Sequence, residues 1–158
     1  MRFVFKQRFR FGLDSYNIFN ESGEVAYTVQ SRFSFIYRKL DICDRWGYRI
    51  GSIKSNPFIF YPKFNMYIGE SCIGTIRKRN YFFQRPRYIL DCNGWEVRGT
   101  FWEWDYTILD ATGIAVATLH KEFAWTDTYV LDIYDEANIL GVLMIVVAID
   151  TEKDTRSY

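Results

Sequence analysis

The sequence has little of what metal sites and covalent crosslinks require. Its three cysteines, Cys43, Cys72 and Cys92, are far apart, no CxxC pair occurs, and His120 is the only histidine. Zinc sites are built from clustered cysteine and histidine ligands, so this composition argues against a zinc site. We expect no metal, no cofactor, and cysteines that remain reduced thiols on strands.

An excess of charge and an apolar leader are missing as well. The formal net charge is +1, so the chain as a whole has no electrostatic attraction to nucleic acid. Charges interrupt the opening "MRFVFKQRFRFG" every few residues, which leaves no apolar segment for a signal peptide. These absences predict a cytoplasmic protein. Such a protein can also bind peripherally to the inner membrane surface, and we keep that location within the prediction.

Sequence motifs for catalysis are also absent. The chain contains neither a GxSxG elbow nor a phosphate-binding glycine loop, and His120 has no evident nucleophilic partner. Aspartate favours turns, which explains several of the acids without catalysis. The predicted turn residues are Asp14, Asp44, Asp110 and Asp127. We therefore expect no catalytic residues; the alternative is an enzyme or ligand-binding barrel whose mouth brings together Glu103, Asp105 or His120.

The chain does contain a sequence repeat, which occurs five times. Each copy opens with a short β-prone run, continues through a polar turn that usually holds glycine, and closes with a second β-prone run. Glycine permits the positive φ of tight hairpin turns, so each copy predicts a β-hairpin. The copies are "YNIFNESGEVAYTVQ" from Tyr16, "LDICDRWGYRIGSIK" from Leu40, "FNMYIGESCIGTIRK" from Phe64, "YILDCNGWEVRGTFW" from Tyr88 and "YTILDATGIAVATLH" from Tyr106.

The strand count favours a closed barrel. A lone strand, "RFVFKQRF", precedes the five hairpins, and "YVLDIYDEANILG" from Tyr129 opens like a sixth, which gives twelve strands. Alternating apolar residues on the opening strands place one face against a core. Twelve short strands in an open sheet would leave exposed edges, whereas closure removes them. With 158 residues, of which 20% are aromatic, the chain suits one folded domain.

The most apolar stretch, "ANILGVLMIVVAID", predicts a buried helix. It carries no charge from Ile139 to Ile149, whereas a membrane span needs about 20 apolar residues. Asp135 is suited to cap its start, and Gly141 predicts a close approach to the barrel wall. A helix that is apolar on every face requires burial on every face, and a wide barrel offers that interior. A helix on an open sheet, or a tail anchor, are the alternatives.

These features resemble a known family. The "KQRF" opening, the aromatic segment "HKEFAWTDTYVLDIYDE" and the terminal "LGVLMIVVAID" are similar to the LURP-one-related (YxjI-like) family across nearly the whole chain. The resemblance implies a fold like the tubby C-terminal domain and the phospholipid scramblases, with twelve strands around a central helix. It implies a link to phosphoinositides or lipids through those related folds, and it carries over no residue roles.

The strongest local candidate for a site is "IRKRNYFFQRPRY". Its basic residues surround Tyr81, Phe82 and Phe83, a mixture that attracts anionic headgroups and can insert aromatic rings at a bilayer interface. The same mixture can stack single-stranded nucleic acid, and the simplest reading is a strand pair with solvated arginines outside. The candidate lipid- or anion-binding residues are Arg77, Lys78, Arg79, Arg85 and Arg87.

A second basic group lies in the first strand. There, alternation places Arg2, Lys6, Arg8 and Arg10 opposite Phe3 and Phe5, on an outward face.

The sequence as a whole predicts a mainly β protein: a closed antiparallel barrel of repeated hairpins around a buried C-terminal α-helix. We place the barrel domain at 1–152, its helix at about 136–150 and a polar tail at 153–158. The predicted function is a non-enzymatic binding or scaffold module that recognises anionic phospholipid, phosphoinositide or a protein partner.

Overall fold

The computed structural model describes residues 1–6, 15–33, 37–55, 63–79, 87–124 and 128–156. Twelve strands and a C-terminal helix account for most of them, and the rest include hairpin turns and two 3-10 turns, Phe101–Glu103 and Glu136–Asn138. The elements are β1 (Arg2–Lys6), β2 (Ser15–Asn20), β3 (Val25–Phe33), β4 (Arg38–Asp44), β5 (Arg49–Ser55), β6 (Lys63–Ile68), β7 (Ser71–Arg79), β8 (Arg87–Leu90), β9 (Glu96–Thr100), β10 (Asp105–Leu109), β11 (Ala115–Glu122), β12 (Thr128–Ile133) and α1 (Ile139–Arg156).

The strands form a closed antiparallel barrel, which confirms the predicted architecture. Each strand pairs with its sequence neighbours, and the ring closes where β1 pairs with both β12 and β2. Phe3 lies opposite Leu131 of β12, and Phe5 lies opposite Ile18 of β2. Because the ring is closed, the described strands present no unpaired edge of the sheet to solvent.

All five hairpins predicted from the repeat are present. Their turns lie at one end of the barrel, the turn end, and we call the opposite end, where Phe101–Glu103 joins β9 to β10, the loop end. Gly69 and Glu70 form the β6–β7 turn, and Gly69 has a φ of 61°. The third hairpin therefore also turns on a glycine, placed earlier in the turn than in the others.

Helix α1 lies inside the barrel, as its apolar sequence predicts. Residues from Val142 to Ile149 are all essentially inaccessible to solvent. Asp135 caps the 3-10 turn that leads into α1 by accepting a hydrogen bond from the Ala137 amide at 2.9 Å. The helix continues to Arg156, beyond the expected end near residue 150.

Close packing holds α1 against the wall. A Cβ built on Gly141 would lie 3.2 Å from Cζ3 of Trp95, which confirms the predicted close approach. Gly51 of β5 makes room in the same way for Met144. Burial of large aliphatic side chains is worth about 1.5–3 kcal/mol each, so the helix supplies a large part of the apolar core. None of the helices in the described part of the chain combines the length and apolar content needed to cross a bilayer.

Candidate functional site

Three consecutive basic residues near the end of β7 face opposite sides of the wall. Successive side chains of a strand alternate between faces, and Ile76 is buried in the core. Arg77 and Arg79 are exposed on the outer surface, whereas Lys78 is buried on the inner one. Of the candidate residues predicted on this strand, two therefore lie on the surface and one lies inside the barrel.

Lys78 is part of a polar group within the barrel at the loop end. Its ammonium donates to Glu152 of α1, with Nζ 2.9 Å from Oε1, and both side chains are about 6% exposed. The Tyr88 hydroxyl donates to the other oxygen of Glu152. Near them, the Arg38 guanidinium donates to the Thr151 carbonyl at 3.2 Å. These bonds fix the polar end of the helix to the wall.

The other two candidate residues have different outcomes. Arg87 begins β8, directly opposite Arg79, and its Nη1 lies 2.8 Å from Oε1 of Glu96. Arg98 donates to the same carboxylate at 3.1 Å, and that bond, with Arg87 adding to it, holds the pKa of Glu96 below its ordinary value despite partial burial. Arg85 lies outside the described residues, as do Tyr81, Phe82 and Phe83.

Further cations, which the sequence did not assign to a site, lie on the outer side of the strands that precede β7. On the outer side of the wall, Arg32 of β3 lies opposite Lys39 of β4, and Lys39 lies opposite Lys54 of β5. Further round, Lys63 of β6 lies opposite Arg77, and Arg79 lies opposite Arg87. Like charges directly opposite each other on neighbouring strands destabilise a sheet. These pairs therefore work against folding.

One buried carboxylate lies among these cations. Asp41 on β4 has a side chain that is only 3% exposed, and Arg32 Nε lies 3.6 Å from its Oδ2. Lys39 and Arg49 each place a nitrogen 3.9 Å from Oδ1. Three cations share one acid, so the cluster keeps a net positive charge. We call the outward cations of β3–β7 the basic face: Arg32, Lys39, Arg49, Lys54, Lys63, Arg77 and Arg79.

Register explains why the sequence did not reveal the basic face. The sequence of each hairpin shows which side chains share its outer side, but the face joins residues of different hairpins. A β-bulge between Ile42 and Cys43 shifts the pairing of β4 with β5, and another at Met66 and Tyr67 shifts β6 with β7. The alternation of apolar and polar residues was the available signal for which side chains face outward. It did not reveal the bulges, which change the residues that lie opposite each other on neighbouring strands.

The N-terminal basic group is separate from the basic face. Arg2 and Lys6 point outward from β1, as predicted, while Phe3 and Phe5 are buried. Arg2 is paired with Asp132, with Nε 2.8 Å from Oδ1. In the ring order β1 lies opposite β7, and on its nearer side the uncharged strand β2 separates it from β3, where the basic face begins. Arg8 and Arg10 lie outside the described residues.

The residues considered for catalysis lie toward the loop end, where the pairing of Tyr106 with Leu119 places Asp105 and His120 on neighbouring strands. Glu103 and Asp105 are exposed, and His120 is half-buried on β11. Asp110 confirms its predicted turn role, since its Oδ1 accepts from the amides of Thr112 at 2.8 Å and Ile114 at 3.0 Å.

Asp44 confirms the same turn role, because its Oδ1 accepts from two amides of the β4–β5 turn. Asp14 and Asp127 fall outside the described ranges. Within those ranges no three His, Cys, Asp or Glu side chains come together in a way that could hold a metal ion.

Comparison with known proteins now places the chain. A solved X-ray structure of an Arabidopsis thaliana protein superposes with a TM-score of 0.71 at 13% identity, over 96% of this chain and 90% of that one, which shows a shared fold. The uncharacterised protein YxjI of Bacillus subtilis is 23% identical over 137 residues, covering 87% of this chain and 84% of that protein. The family model described as LURP-one-related matches residues 1–150, and the chain belongs to the LURP-one-related family.

Proposed function

We propose that the chain is a non-enzymatic binding module that uses the basic face to hold anionic phospholipid at a membrane surface. The observation that supports this most is the set of cations placed directly opposite one another on adjacent strands, such as Lys63 and Arg77. Such pairs cost stability, so their concentration on one side of a nearly neutral protein favours a role in binding. An anionic surface offsets the repulsion within these pairs by adding negative charge beside them.

The expected affinity is modest and depends on salt. A basic residue near an anionic bilayer contributes about 1 kcal/mol, and this contribution falls off within a Debye length of about 8 Å at physiological ionic strength. The barrel wall is curved, so a flat membrane contacts only part of the basic face at one time. A few cations acting together then give weak, reversible binding.

Vesicle flotation tests this proposal. We expect the protein to float with vesicles of phosphatidylcholine and phosphatidylserine, to stay behind with phosphatidylcholine alone, and to dissociate as salt is added. The double variant Arg77→Gln/Arg79→Gln should weaken binding about 30-fold, which corresponds to about 1 kcal/mol for each lost charge. Both side chains are exposed, so the fold should be retained.

A matched control lies on β1, directly across the barrel from Arg77 and Arg79 of β7. Arg2→Gln/Lys6→Gln removes the same charge from β1 and should leave binding nearly unchanged. Equal binding to anionic and neutral vesicles would contradict the proposal. An equal loss of binding in both double variants would contradict the assignment to the basic face, because net charge alone would then explain the effect.

The competing hypothesis is a small-ligand site at the barrel mouth. The polar groups there that would serve it, Lys78, Tyr88 and Glu152, are bonded to one another. The Tyr106 hydroxyl is buried without a hydrogen-bond partner among the described residues, and burial followed by the charge of Asp150 raises its pKa well above the ordinary value. The Ser31 hydroxyl of β3 is likewise buried without a hydrogen-bond partner among the described residues. These two hydroxyls are the observation in favour of an interior ligand, and the basic face is the more extensive feature.

A further inference from the structure

The β4–β5 turn holds two aromatic side chains in solvent on a rigid backbone. Oδ1 of Asp44 accepts hydrogen bonds from the amides of Trp46 at 3.0 Å and Tyr48 at 2.9 Å, and the Gly47 amide donates to the Asp44 carbonyl at 3.0 Å. Trp46 is 74% exposed and Tyr48 is 72% exposed. Exposing two large apolar rings side by side to water is unfavourable, so this pair is a candidate contact surface.

A second turn of the same barrel shows that folding does not require these rings. The β10–β11 turn repeats the bonds with Asp110: Gly113 donates to its carbonyl at 3.0 Å, and the amides of Thr112 and Ile114 donate to its carboxylate. There Thr112 occupies the position of Trp46, and Ile114 occupies that of Tyr48. The bonds that the two turns share come from the aspartate and the glycine, and they do not depend on the aromatic rings.

The aromatic pair lies beside the basic face. Tyr48 is followed directly by Arg49, a member of that face whose Nη1 lies 3.9 Å from Asp41. Arg45, on the other side, places its guanidinium carbon 5.7 Å from the centre of a Trp46 ring and Nη2 3.5 Å from Glu24. Arg45 and Arg49 thus flank the two rings at the turn end, and the other cations of the basic face lie farther along the strands, toward the loop end.

We propose that Trp46 and Tyr48 form an interfacial anchor, whose rings enter the headgroup region of an anionic bilayer and fix how the barrel lies on it. This inference rests on the proposed function. Tryptophan and tyrosine have an apolar ring body with a polar tip, and they are enriched where a bilayer meets water. The rings sit at a protruding tip with cations alongside, a shape and charge that match an anionic bilayer.

The first test measures whether the rings contribute to binding. Trp46→Ser/Tyr48→Ser should weaken binding to phosphatidylcholine–phosphatidylserine vesicles about tenfold or more, while the remaining binding stays sensitive to salt. Ile114→Ser is the matched control, because it removes an exposed apolar side chain, 66% exposed, from the equivalent place in the other turn. Its binding should equal that of the unmodified protein.

The second test locates the Trp46 ring. Addition of the same vesicles, made with brominated acyl chains, should quench tryptophan fluorescence in the unmodified protein more than in Trp46→Phe. Trp95 and Trp104 are buried and contribute a background that is common to both proteins.

The outcomes separate this inference from the proposed function. If both serine substitutions leave binding to anionic vesicles unchanged, the anchor is wrong and the proposed function stands. If binding weakens but Trp46 is not quenched, the rings contribute to binding without entering lipid, and the result overturns the anchor. If the unmodified protein does not distinguish anionic from neutral vesicles, both proposals fall.

Discussion

The two sides of β7 both carry positive charge, exposed to solvent on the outer side and buried on the inner side. Arg77 and Arg79 extend from the outer surface into solvent, and between them Lys78 extends into the barrel, where it is paired with Glu152. Solvent screens the outer charges. The inner charge has lost its hydration and depends on its partner. Adjacent residues of like charge therefore differ in what their removal does to the fold.

The largest expected effect comes from breaking the inner pair. Lys78→Met should lower the free energy of unfolding by about 3–5 kcal/mol, because it leaves the Glu152 carboxylate buried without its cation. Urea unfolding followed by circular dichroism measures this change. Arg77→Met is the control on the outer side and should stay within about 0.5 kcal/mol of the unmodified protein. Equal stability of the two variants would contradict the distinction between the two sides.

A compensating substitution sharpens the same comparison. In the Lys78→Met background, Glu152→Gln should restore about 1–3 kcal/mol, because a neutral amide needs no counter-charge and its oxygen still accepts from Tyr88. Urea unfolding of the double variant checks this expectation. A double variant less stable than Lys78→Met alone would show that the buried carboxylate is tolerated without its cation.

The part of the fold that was predicted from sequence depends on local signals. The hairpin turns rest on residues close in the chain, such as Asp110 and Gly113, and the helix rests on an unbroken apolar run. The place of Lys78 depends on Glu152, which is 74 positions away. In the sequence, the charged residues after Ile149 indicated the end of the helix. In the fold, Lys78 pairs with Glu152 and the helix continues to Arg156.

The basic face was only partly predictable for a related reason. Arg77 and Arg79 belong to a local cluster that the sequence displays, and the structure places both on the surface. Arg32, Lys39 and Lys54 come from three strands, and only the register across β3, β4 and β5 aligns them. Charge segregation on a barrel wall is a property of strand pairing, and two bulges made that pairing unreadable from alternation alone.

A smaller effect is expected for the outer ion pairs of Glu96. Glu96→Gln should cost less than about 1 kcal/mol, because its partners Arg98 and Arg87 are accessible to solvent. The hydrogen bond from Arg98 lowers the pKa of Glu96 in the folded state. The stabilisation is therefore complete above the unfolded-state pKa of about 4.3, and it disappears as the pH falls through the lower folded-state pKa. Urea unfolding at neutral and acidic pH measures whether the difference between Glu96→Gln and the unmodified protein vanishes in acid.

The smallest effect on stability is expected for Arg77→Glu, a variant that should bind anionic vesicles much less well. Arg77→Glu replaces a like-charge pair with Lys63 by an opposite-charge pair, so it should stabilise the barrel slightly, by about 0.2–1 kcal/mol. Urea unfolding and vesicle flotation of this one variant measure both properties. A more stable barrel that binds anionic vesicles less well shows that the outer charges are kept at the expense of the fold. If Arg77→Glu instead lowers stability as much as Lys78→Met does, the outer charges support the fold, and the argument that they exist for binding loses its basis.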